Sequence, residues 1–412
     1  MRRVVITGLG VVSPIGIGRN EYWQALRSGA NGVARITHFD VENYPVKIAA
    51  EVKDFRPDDW MDHKEARRTD RVIHFTMAAG ELAVKDGALD VSRLDKERFG
   101  VFLGSAEGGI FTSYENIKTL IEKGPNRVSP FFIPMMISNM PAAYLAIRYG
   151  AKGPNICVVT ACATATHTII EAFNTIRRGE ADVILAGGAE SAISPLGVAG
   201  FAAIKALSTR NDEPEKASRP FDVDRDGFIL GEGAGVLILE DLDHARNRGA
   251  RIYAEITGYG STCDAYHITA PDPEGVGAAR AMKQAIERSG WTIHDVDLIN
   301  AHGTSTPLND KMESKAIRSV FGERTSSVLV NSTKSMIGHG LGAAGALETI
   351  AAIQSIAEGF VHPTLNLENQ DPECEINVVG ARGMEFPVKR VLVNNFGFGG
   401  HNGVLAIQSF SE

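Results

Sequence analysis

The chain has 412 residues, enough for two large hydrophobic cores or one double-sized unit. Its 44% of hydrophobic and 22% of charged residues are typical of a soluble globular protein, and its net charge of -8 argues against broad nucleic-acid binding. Its four cysteines form no CxxC pair and no metal-ligand spacing, which indicates a reducing compartment rather than a disulfide framework or a metal site.

The first half of the sequence alternates strand-like and helix-like segments. It begins directly with a predicted strand, Arg3–Gly8, so we expect no signal peptide. No apolar stretch approaches the roughly 18–20 residues of a membrane span, and we predict a cytoplasmic protein. Alternation of this kind is typical of an α/β fold with a largely parallel sheet covered by helices. The later predicted elements of this half are a helix over Asp70–Gly87, strands over Val101–Gly104 and Ala181–Gly187, and a long ordered loop over Ser208–Gly235.

The pattern restarts near residue 251. The segment Arg251–Gly260 is an apolar strand closed by Thr-Gly-x-Gly, as is Arg3–Gly10. This repetition predicts two similar halves, residues 1–250 and 251–412. The elements predicted for the second half are a helix over Gly277–Ser289, a strand over Leu298–His302, another helix, and a terminal strand pair over Val391–Asn395 and Gly403–Gln408.

Cys162 is the strongest candidate for a catalytic residue. A strand-like segment, Ile156–Val159, runs into it. A cysteine at a strand-to-helix junction lies at a helix N-terminus, where free N–H groups and a partial positive charge favour the nucleophilic thiolate. A lone cysteine is often a buried structural thiol, but the small residues around this one leave room for a substrate. The helix after Cys162 is indicated by the apolar positions Ile169, Ile170, Phe173 and Ile176.

Two histidines far downstream are candidates to act with Cys162. His302 follows a predicted strand, and strand ends are where open α/β sheets bind ligands. His339 lies in a Gly-rich turn, backed by Lys334, before an apolar helix-like run. In a second Gly-rich turn, the glycines beside Phe398 allow a backbone N–H to approach a reacting carbonyl. These residues predict a thiol enzyme whose site is assembled from both halves of the chain.

Five ordered motifs resemble those of the β-ketoacyl-[acyl-carrier-protein] synthases of the thiolase superfamily. The resemblance extends over essentially all 412 residues and is greatest for the elongating enzymes of dissociated fatty-acid synthesis. It implies a thiolase-like fold, with two similar βα halves and packed mixed sheets in α-β-α-β-α layers. The motifs are Thr160–Ala163, Arg219–Gly235, Ala301–Thr304, Lys334–His339 and Asn395–Gly400.

The resemblance also implies an acyltransferase reaction. Cys162 would hold an acyl chain taken from acyl carrier protein, and His302 and His339 would donate hydrogen bonds to the thioester carbonyl of malonyl-acyl carrier protein. Loss of carbon dioxide leaves an enolate that attacks the acyl group, so no redox cofactor is needed. The N–H groups of Cys162 and Phe398 would form the oxyanion hole, and the Phe398 ring would act as a gate. Lys334 and Glu348 would orient the histidines.

Substrate and partner contacts are likewise implied by the resemblance. The acidic carrier protein would dock on a basic patch formed by Lys64, Arg67 and Arg68, with Lys205 adding to it. The apolar run Pro130–Ile137 would lie beside the acyl tunnel at the interface of a homodimer. The residues that we expect to contact the substrate are Thr304, Thr306, Glu107, Phe201, Phe132 and Ile133.

One departure from the family pattern is Glu107, which replaces a small or apolar residue expected near the far end of the acyl pocket. A carboxylate facing a hydrocarbon is costly unless it is paired or protonated, so a polyketide- or polyene-type chain stays an alternative to a fatty acyl chain. A thiolase is disfavoured because the C-terminal Gly-rich turn holds no cysteine. A non-catalytic chain-length partner is disfavoured because it would lack the nucleophile.

Overall fold

The computed structural model describes residues 2–411, in which we find fifteen β-strands and thirteen α-helices. The strands are β1 Val4–Ser13, β2 Gly16–Ile17, β3 Ala34–Arg35, β4 Ile48–Ala49, β5 Phe99–Gly104, β6 Asn155–Ile156, β7 Val183–Glu190, β8 Gly233–Asp241, β9 Ala254–Cys263, β10 Leu298–Asn300, β11 Leu329–Asn331, β12 Phe360–Val361, β13 Met384–Glu385, β14 Arg390–Gly397 and β15 His401–Gln408. The helices are α1 Arg19–Ser28, α2 His63–Ala66, α3 Arg71–Asp86, α4 Ile110–Lys123, α5 Phe132–Met136, α6 Met140–Tyr149, α7 Thr164–Arg177, α8 Pro195–Ala203, α9 Leu242–Asn247, α10 Val276–Arg288, α11 Pro307–Phe321, α12 Lys334–Ile337 and α13 Ala344–Glu358.

The main sheet repeats one topology in two halves. The first half has the strand order β1-β8-β7-β5-β6 and the second half has β9-β15-β14-β10-β11. In each half the two outermost pairings are parallel and the two inner ones antiparallel. The halves join where Val4–Ile6 of β1 pairs antiparallel with β9. The predicted α/β fold with two similar halves is therefore confirmed, whereas the boundary at residue 250 stays a prediction.

Helices α7 and α13 lie between the two sets of strands. Helix α7 contacts β5 and β7 of the first half and β15 of the second, and α13 contacts β8 and β14. Helix α3 covers the outer face of β1 and β8, and α10 covers β9 and β15. The predicted apolar face of α7 is buried in the largest hydrophobic core, together with residues from both halves. This arrangement gives the predicted layers, and the central pair of helices brings the two halves to one site.

Two predicted elements differ from the structure. The strand before Cys162 ends at Ile156, because β6 is the sheet edge, pairs only with β5 and is exposed. The predicted loop is ordered by buried ion pairs, of which Arg219 with Asp222 is one, and it gives way to strand β8 at Gly233. No helix among residues 2–411 is long and apolar enough to cross a membrane.

Candidate active site

Cys162 lies in a tight turn at the start of α7. The turn is a short 3₁₀ helix, Ala161–Ala163, in which Ala161 has the left-handed φ of 49°. A left-handed alanine is a strained conformation that persists only where the surroundings enforce it. Gly397 supplies that enforcement, because a Cβ there would lie 2.6 Å from the carbonyl oxygen of Thr160. The last residue of β14 therefore packs directly on the backbone around Cys162.

The electrostatics of Cys162 differ from the sequence-based expectation. Its side chain is 7% exposed, and burial raises the pKa of the thiol to about 12. The Lys334 ammonium and the N–H groups of Phe398 and Cys162 lower this pKa, but burial outweighs them. The sequence predicted that the helix N-terminus favours the thiolate, whereas in the folded chain burial favours the neutral thiol. The N–H groups of Phe398 and Cys162 nevertheless lie within hydrogen-bonding range of Sγ, so they are close to where the oxygen of an acyl group on this sulfur would be.

His302 is held at the end of β10 by a buried carboxylate. Its backbone N–H donates to Oε1 of Glu313 at 2.9 Å, and the N–H of Gly303 donates to Oε2 at 2.8 Å. Its Nδ1 lies 3.4 Å from Nζ of Lys334. Because an ammonium group can only donate, Nδ1 is the acceptor and the ring proton is on Nε2.

His339 has the same tautomer for a different reason. Its Nδ1 accepts the N–H of Leu341 at 3.3 Å, so its ring proton is also on Nε2. The two imidazole rings lie with centroids 5.3 Å apart and planes at 84°. Burial, followed by the charge of Lys334, holds the pKa of both His302 and His339 well below the usual value. Both side chains are therefore neutral donors at pH 7.

A buried hydrogen-bond network lies behind His302 and contacts it through Lys334. Lys334 forms an ion pair with Glu348, and both side chains are almost fully buried. The other carboxylate oxygen of Glu348 accepts from Nδ2 of Asn395 at 2.6 Å, and Oδ1 of Asn395 accepts from the hydroxyl of Thr166. The network thus links α12 and α13 to β14 and α7, so it crosses between the halves.

One cavity of about 350 Å³ brings most of the predicted site residues together. At its mouth Lys205 is exposed, and inside it the hydroxyls of Thr304 and Thr306 lie 2.9 Å apart. Lys334 and Glu348 do not line the cavity, and Lys334 contacts Nδ1 of His302 behind it. The predicted residues that line it are Cys162, His302, His339, Phe398, Thr304, Thr306, Phe201 and Lys205.

Three predicted substrate contacts do not line this cavity. Phe132 and Ile133 lie on α5, where Ile133 is 57% exposed. Glu107 is half-buried, and burial raises the pKa of its carboxyl. Their roles in substrate binding stay predictions.

The predicted docking residues Lys64, Arg67 and Arg68 are exposed on and just after α2. The Arg68 guanidinium lies over the Phe131 ring, 4.6 Å from its centroid. This contact joins the basic segment to the apolar run that precedes α5. Among residues 2–411 we find no cluster of three or more His, Cys, Asp or Glu side chains that could hold a metal ion.

The sequence interpretation missed three residues that shape the site. Glu313 holds His302, as described above, and Glu190 accepts a hydrogen bond from the turn after His339. Burial raises the pKa of each carboxyl to about 7. The Phe228 ring packs edge-on against His339, with centroids 5.2 Å apart. For Glu190 the available signal was an acidic residue at the end of an otherwise apolar strand.

Comparison with known proteins agrees with this geometry. The family model of the beta-ketoacyl synthase N-terminal domain matches residues 1–245, and that of the C-terminal domain matches residues 253–368. A 3-oxoacyl-[acyl-carrier-protein] synthase 2 of Synechocystis sp. is 49% identical over 99% of this chain and 98% of its own.

Two solved structures are similar over 100% of both chains. The ishigamide ketosynthase/chain length factor has a TM-score of 0.93 at 37% identity. A type II polyketide synthase acyl-carrier protein in complex with its ketosynthase, bound to the hexaketide, has a TM-score of 0.91 at 34% identity. The matches to both domain models and to a nearly full-length relative show that the chain belongs to the β-ketoacyl synthase family.

Proposed function

We propose that this protein catalyses the decarboxylative Claisen condensation of malonyl-acyl carrier protein with an acyl chain held on Cys162, in fatty-acid elongation. The observation that carries the proposal is the single cavity where Cys162 meets two neutral, Nε2-protonated histidines. The nucleophile then belongs to the half formed by residues 1–250, and both histidines belong to residues 251–412. The four cysteines are free thiols, which agrees with a cytoplasmic enzyme.

The first half-reaction loads the enzyme. Sγ of Cys162 attacks the thioester carbonyl of acyl-acyl carrier protein, and the bond from that carbonyl to the carrier sulfur breaks. The thiol proton leaves with the carrier thiol. The N–H groups of Phe398 and Cys162 stabilise the tetrahedral oxyanion, and removing one such donor typically costs about 10²–10³ in rate.

The second half-reaction forms the new carbon–carbon bond. His302 and His339 donate from Nε2 to the thioester oxygen of malonyl-acyl carrier protein, so the electrons released as carbon dioxide leaves are held in an enolate. The enolate carbon attacks the acyl carbonyl on Cys162. Sγ departs and takes up a proton from solvent, which gives 3-oxoacyl-acyl carrier protein. Neutral histidines suit this step because imidazolium ions would hold the malonyl carboxylate in place.

We propose that the carrier protein docks beside the cavity mouth. Lys64, Arg67 and Arg68 are exposed cations in a chain of net charge -8, and Lys205 lies at the mouth itself. Such a local patch attracts an acidic partner, and the attraction weakens with salt. One solved relative is a ketosynthase in complex with its acyl-carrier protein.

A homodimer is the proposed assembly. Strand β6 leaves one edge of the sheet unpaired, and an unpaired edge next to apolar residues is a ready site for a second chain. The exposed apolar side chains of this region among the described residues are Ile117, Leu120, Ile121, Ile133, Ile147, Ile156 and Val159. A monomer mass that stays constant with concentration in light scattering would contradict this proposal.

A ketosynthase of a dissociated polyketide or polyene pathway is the second candidate. One solved relative is a ketosynthase/chain length factor and another is a ketosynthase bound to the hexaketide, and Glu107 supplies a half-buried carboxyl that a saturated chain would not need. Fatty-acid elongation remains the first candidate because a 3-oxoacyl-[acyl-carrier-protein] synthase 2 is 49% identical to this chain, whereas these two solved structures are 37% and 34% identical.

Intact-mass measurement tests the proposal directly. The protein is mixed with acyl-acyl carrier proteins of several lengths, with Cys162→Ala as the control, and malonyl-acyl carrier protein is then added. We expect an acyl increment on the wild type alone, followed by its loss as the 3-oxoacyl product appears. Condensation at an unchanged rate in Cys162→Ala would disprove the nucleophile, and uptake of polyketide-type chains alone would favour the second candidate.

A further inference from the structure

The turn that follows His339 is anchored to the end of strand β7. Glu190 is the last residue of β7, and its side chain is fully buried. Its Oε2 accepts the N–H of Gly342 at 2.9 Å and the N–H of Ala106 at 2.9 Å. Its Oε1 accepts the hydroxyl of Ser105 at 2.8 Å. Glu190 therefore ties the turn after His339 to the segment after β5.

The contacts among Glu190, Gly342 and Ala106 are close and leave no room for a side chain on Gly342. A Cβ on Gly342 would lie 2.6 Å from Oε2 of Glu190 and 2.6 Å from the nitrogen of Ala106. The neighbouring Leu341 has a left-handed φ of 42°, which an L-amino acid adopts only under constraint. The hydrogen bond from Gly342 to Glu190 supplies such a constraint on the next peptide.

Leu341, the residue with the constrained backbone, sets the tautomer of His339. The N–H of Leu341 donates to Nδ1 of His339 at 3.3 Å, a long bond that depends on where the turn lies. The backbone of His339 itself is held elsewhere, since its N–H donates to the carbonyl of Ile229 at 2.7 Å. Movement of the turn would therefore leave His339 in place and release its Nδ1.

We propose that Glu190 is a positioning residue for His339: by holding Gly342 it keeps the N–H of Leu341 on Nδ1 and so keeps the donor proton on Nε2. This inference rests on the proposed function, because it assigns His339 the role of donor to the malonyl thioester. Glu190 acts through the turn and does not line the cavity.

The charge state of Glu190 gives the proposal a pH signature. Burial raises the pKa of this carboxyl to about 7, the hydrogen bonds from Ser105, Ala106 and Gly342 lower it, and the charge of Glu107 raises it. The charge of Glu190 in turn raises the pKa of two cysteines, Cys157 and Cys162. Below pH 7 the protonated carboxyl is a poorer acceptor for the Gly342 N–H, so decarboxylation falls as the pH drops.

Separate assays of the two half-reactions test the proposal. Acylation of Cys162 is followed by intact mass, and decarboxylation of malonyl-acyl carrier protein by release of carbon dioxide, across pH 6 to 8. The variants are Glu190→Ala, Glu190→Gln and Gly342→Ala. The last of these disturbs the same hydrogen bond at its donor residue instead of its acceptor. The matched control is Glu240→Gln, a buried carboxylate at the opposite end of the neighbouring strand β8.

We expect Glu190→Ala and Gly342→Ala to lower decarboxylation roughly 10–100-fold while acylation changes by less than about threefold, because only the donor histidine is misplaced. Glu190→Gln keeps one neutral carbonyl acceptor, as the protonated carboxyl does, so it should hold decarboxylation near the lower rate that the wild type shows below pH 7 and remove the contribution of Glu190 to the pH dependence. Glu240→Gln should alter the unfolding midpoint without changing the ratio of the two half-reactions.

A wild-type ratio of decarboxylation to acylation in both Glu190→Ala and Gly342→Ala would overturn the positioning role. An equal loss of both half-reactions would overturn it as well, since that result indicates general damage to the fold. If Glu190→Ala does not fold, Gly342→Ala and Glu190→Gln decide the outcome. Failure of the wild type to decarboxylate malonyl-acyl carrier protein would instead contradict the proposed function.

Discussion

Nζ of Lys334 lies 3.4 Å from Nδ1 of His302 while the same ammonium group forms a buried ion pair with Glu348. One cation therefore holds the histidine in its Nε2-protonated tautomer and also lowers the pKa of that histidine. The carboxylate partner makes this possible, because an isolated ammonium is very costly to bury. The pair of Lys334 and Glu348 thus sets the tautomer of His302 and keeps the Lys334 charge paired in the core, while burial contributes most to the neutrality of the ring.

Removing one partner of this pair should destabilise the protein strongly. Lys334→Met leaves the Glu348 carboxylate buried without its cation, which typically costs about 3–5 kcal/mol. The double variant Lys334→Met/Glu348→Leu should regain most of that free energy of unfolding, yet decarboxylation should stay low because Nδ1 of His302 has lost its donor. Denaturant unfolding and carbon dioxide release measure the two effects. Arg178→Met, at the exposed ion pair with Glu180, is the control, and wild-type decarboxylation in the double variant would contradict the role.

Alkylation of Cys162 in the substrate-free enzyme should reflect its raised pKa. With a pKa of about 12, the thiolate fraction rises about tenfold per pH unit over the whole range from 7 to 10. We therefore expect the rate of modification by iodoacetamide, followed at Cys162 by peptide mass mapping, to increase over that range without a plateau. A plateau below pH 9 would mean that the helix N-terminus and Lys334 outweigh burial.

Charge reversal should identify the carrier-protein surface. In the triple variant Lys64→Glu/Arg67→Glu/Arg68→Glu, we expect KM for acyl carrier protein substrates to rise roughly tenfold or more at low salt, and its salt dependence to weaken. Decarboxylation of malonyl-coenzyme A, which needs no docking, should not change. Lys283→Glu on the outer helix α10 is the matched control. An unchanged KM would place docking elsewhere.

Replacement of Glu107 should alter the range of acyl chains. Burial raises the pKa of this carboxyl, and among residues 2–411 we find no hydrogen bond or ion pair to it. If the side chain faces the acyl chain, Glu107→Leu should increase occupancy of Cys162 by long saturated chains, measured by intact mass after mixing with a series of acyl-acyl carrier proteins. Glu97→Leu, at an exposed site before β5, is the control. An identical chain-length profile would remove Glu107 from the substrate contacts.

Much of the fold was readable from local patterns. The strand at Val101 and the strand pair near the C-terminus were predicted because buried strands give continuous apolar runs between turn residues. Helix α3 was predicted nearly to the residue, since Asp70 caps it and its apolar positions follow the helical period. Strand β8 was not predicted, and its first residues, Gly233–Gly235, were assigned to the preceding loop. Its strand character comes from pairing with β1 and β7 on both sides.

The site was predictable where chemistry is concentrated in short motifs. Cys162, His302 and His339 were selected from their positions at junctions and Gly-rich turns, which also predicted one site assembled from both halves, and the family resemblance added their individual roles. Glu190 and Glu313 were missed because each accepts hydrogen bonds from backbone N–H groups that are distant in sequence. The sequence around a single acidic residue does not indicate which N–H groups will bond to it.

Local periodicity and residue identity were enough to predict most element types and the family, and to select Cys162, His302 and His339 as candidates. The protonation of these side chains depends instead on how the whole chain packs. Local position predicted a thiolate at Cys162, whereas burial raises its pKa to about 12. The desolvation of a group depends on all the residues packed around it, which come from both halves of the chain. A local stretch of sequence therefore does not determine the pKa of that group.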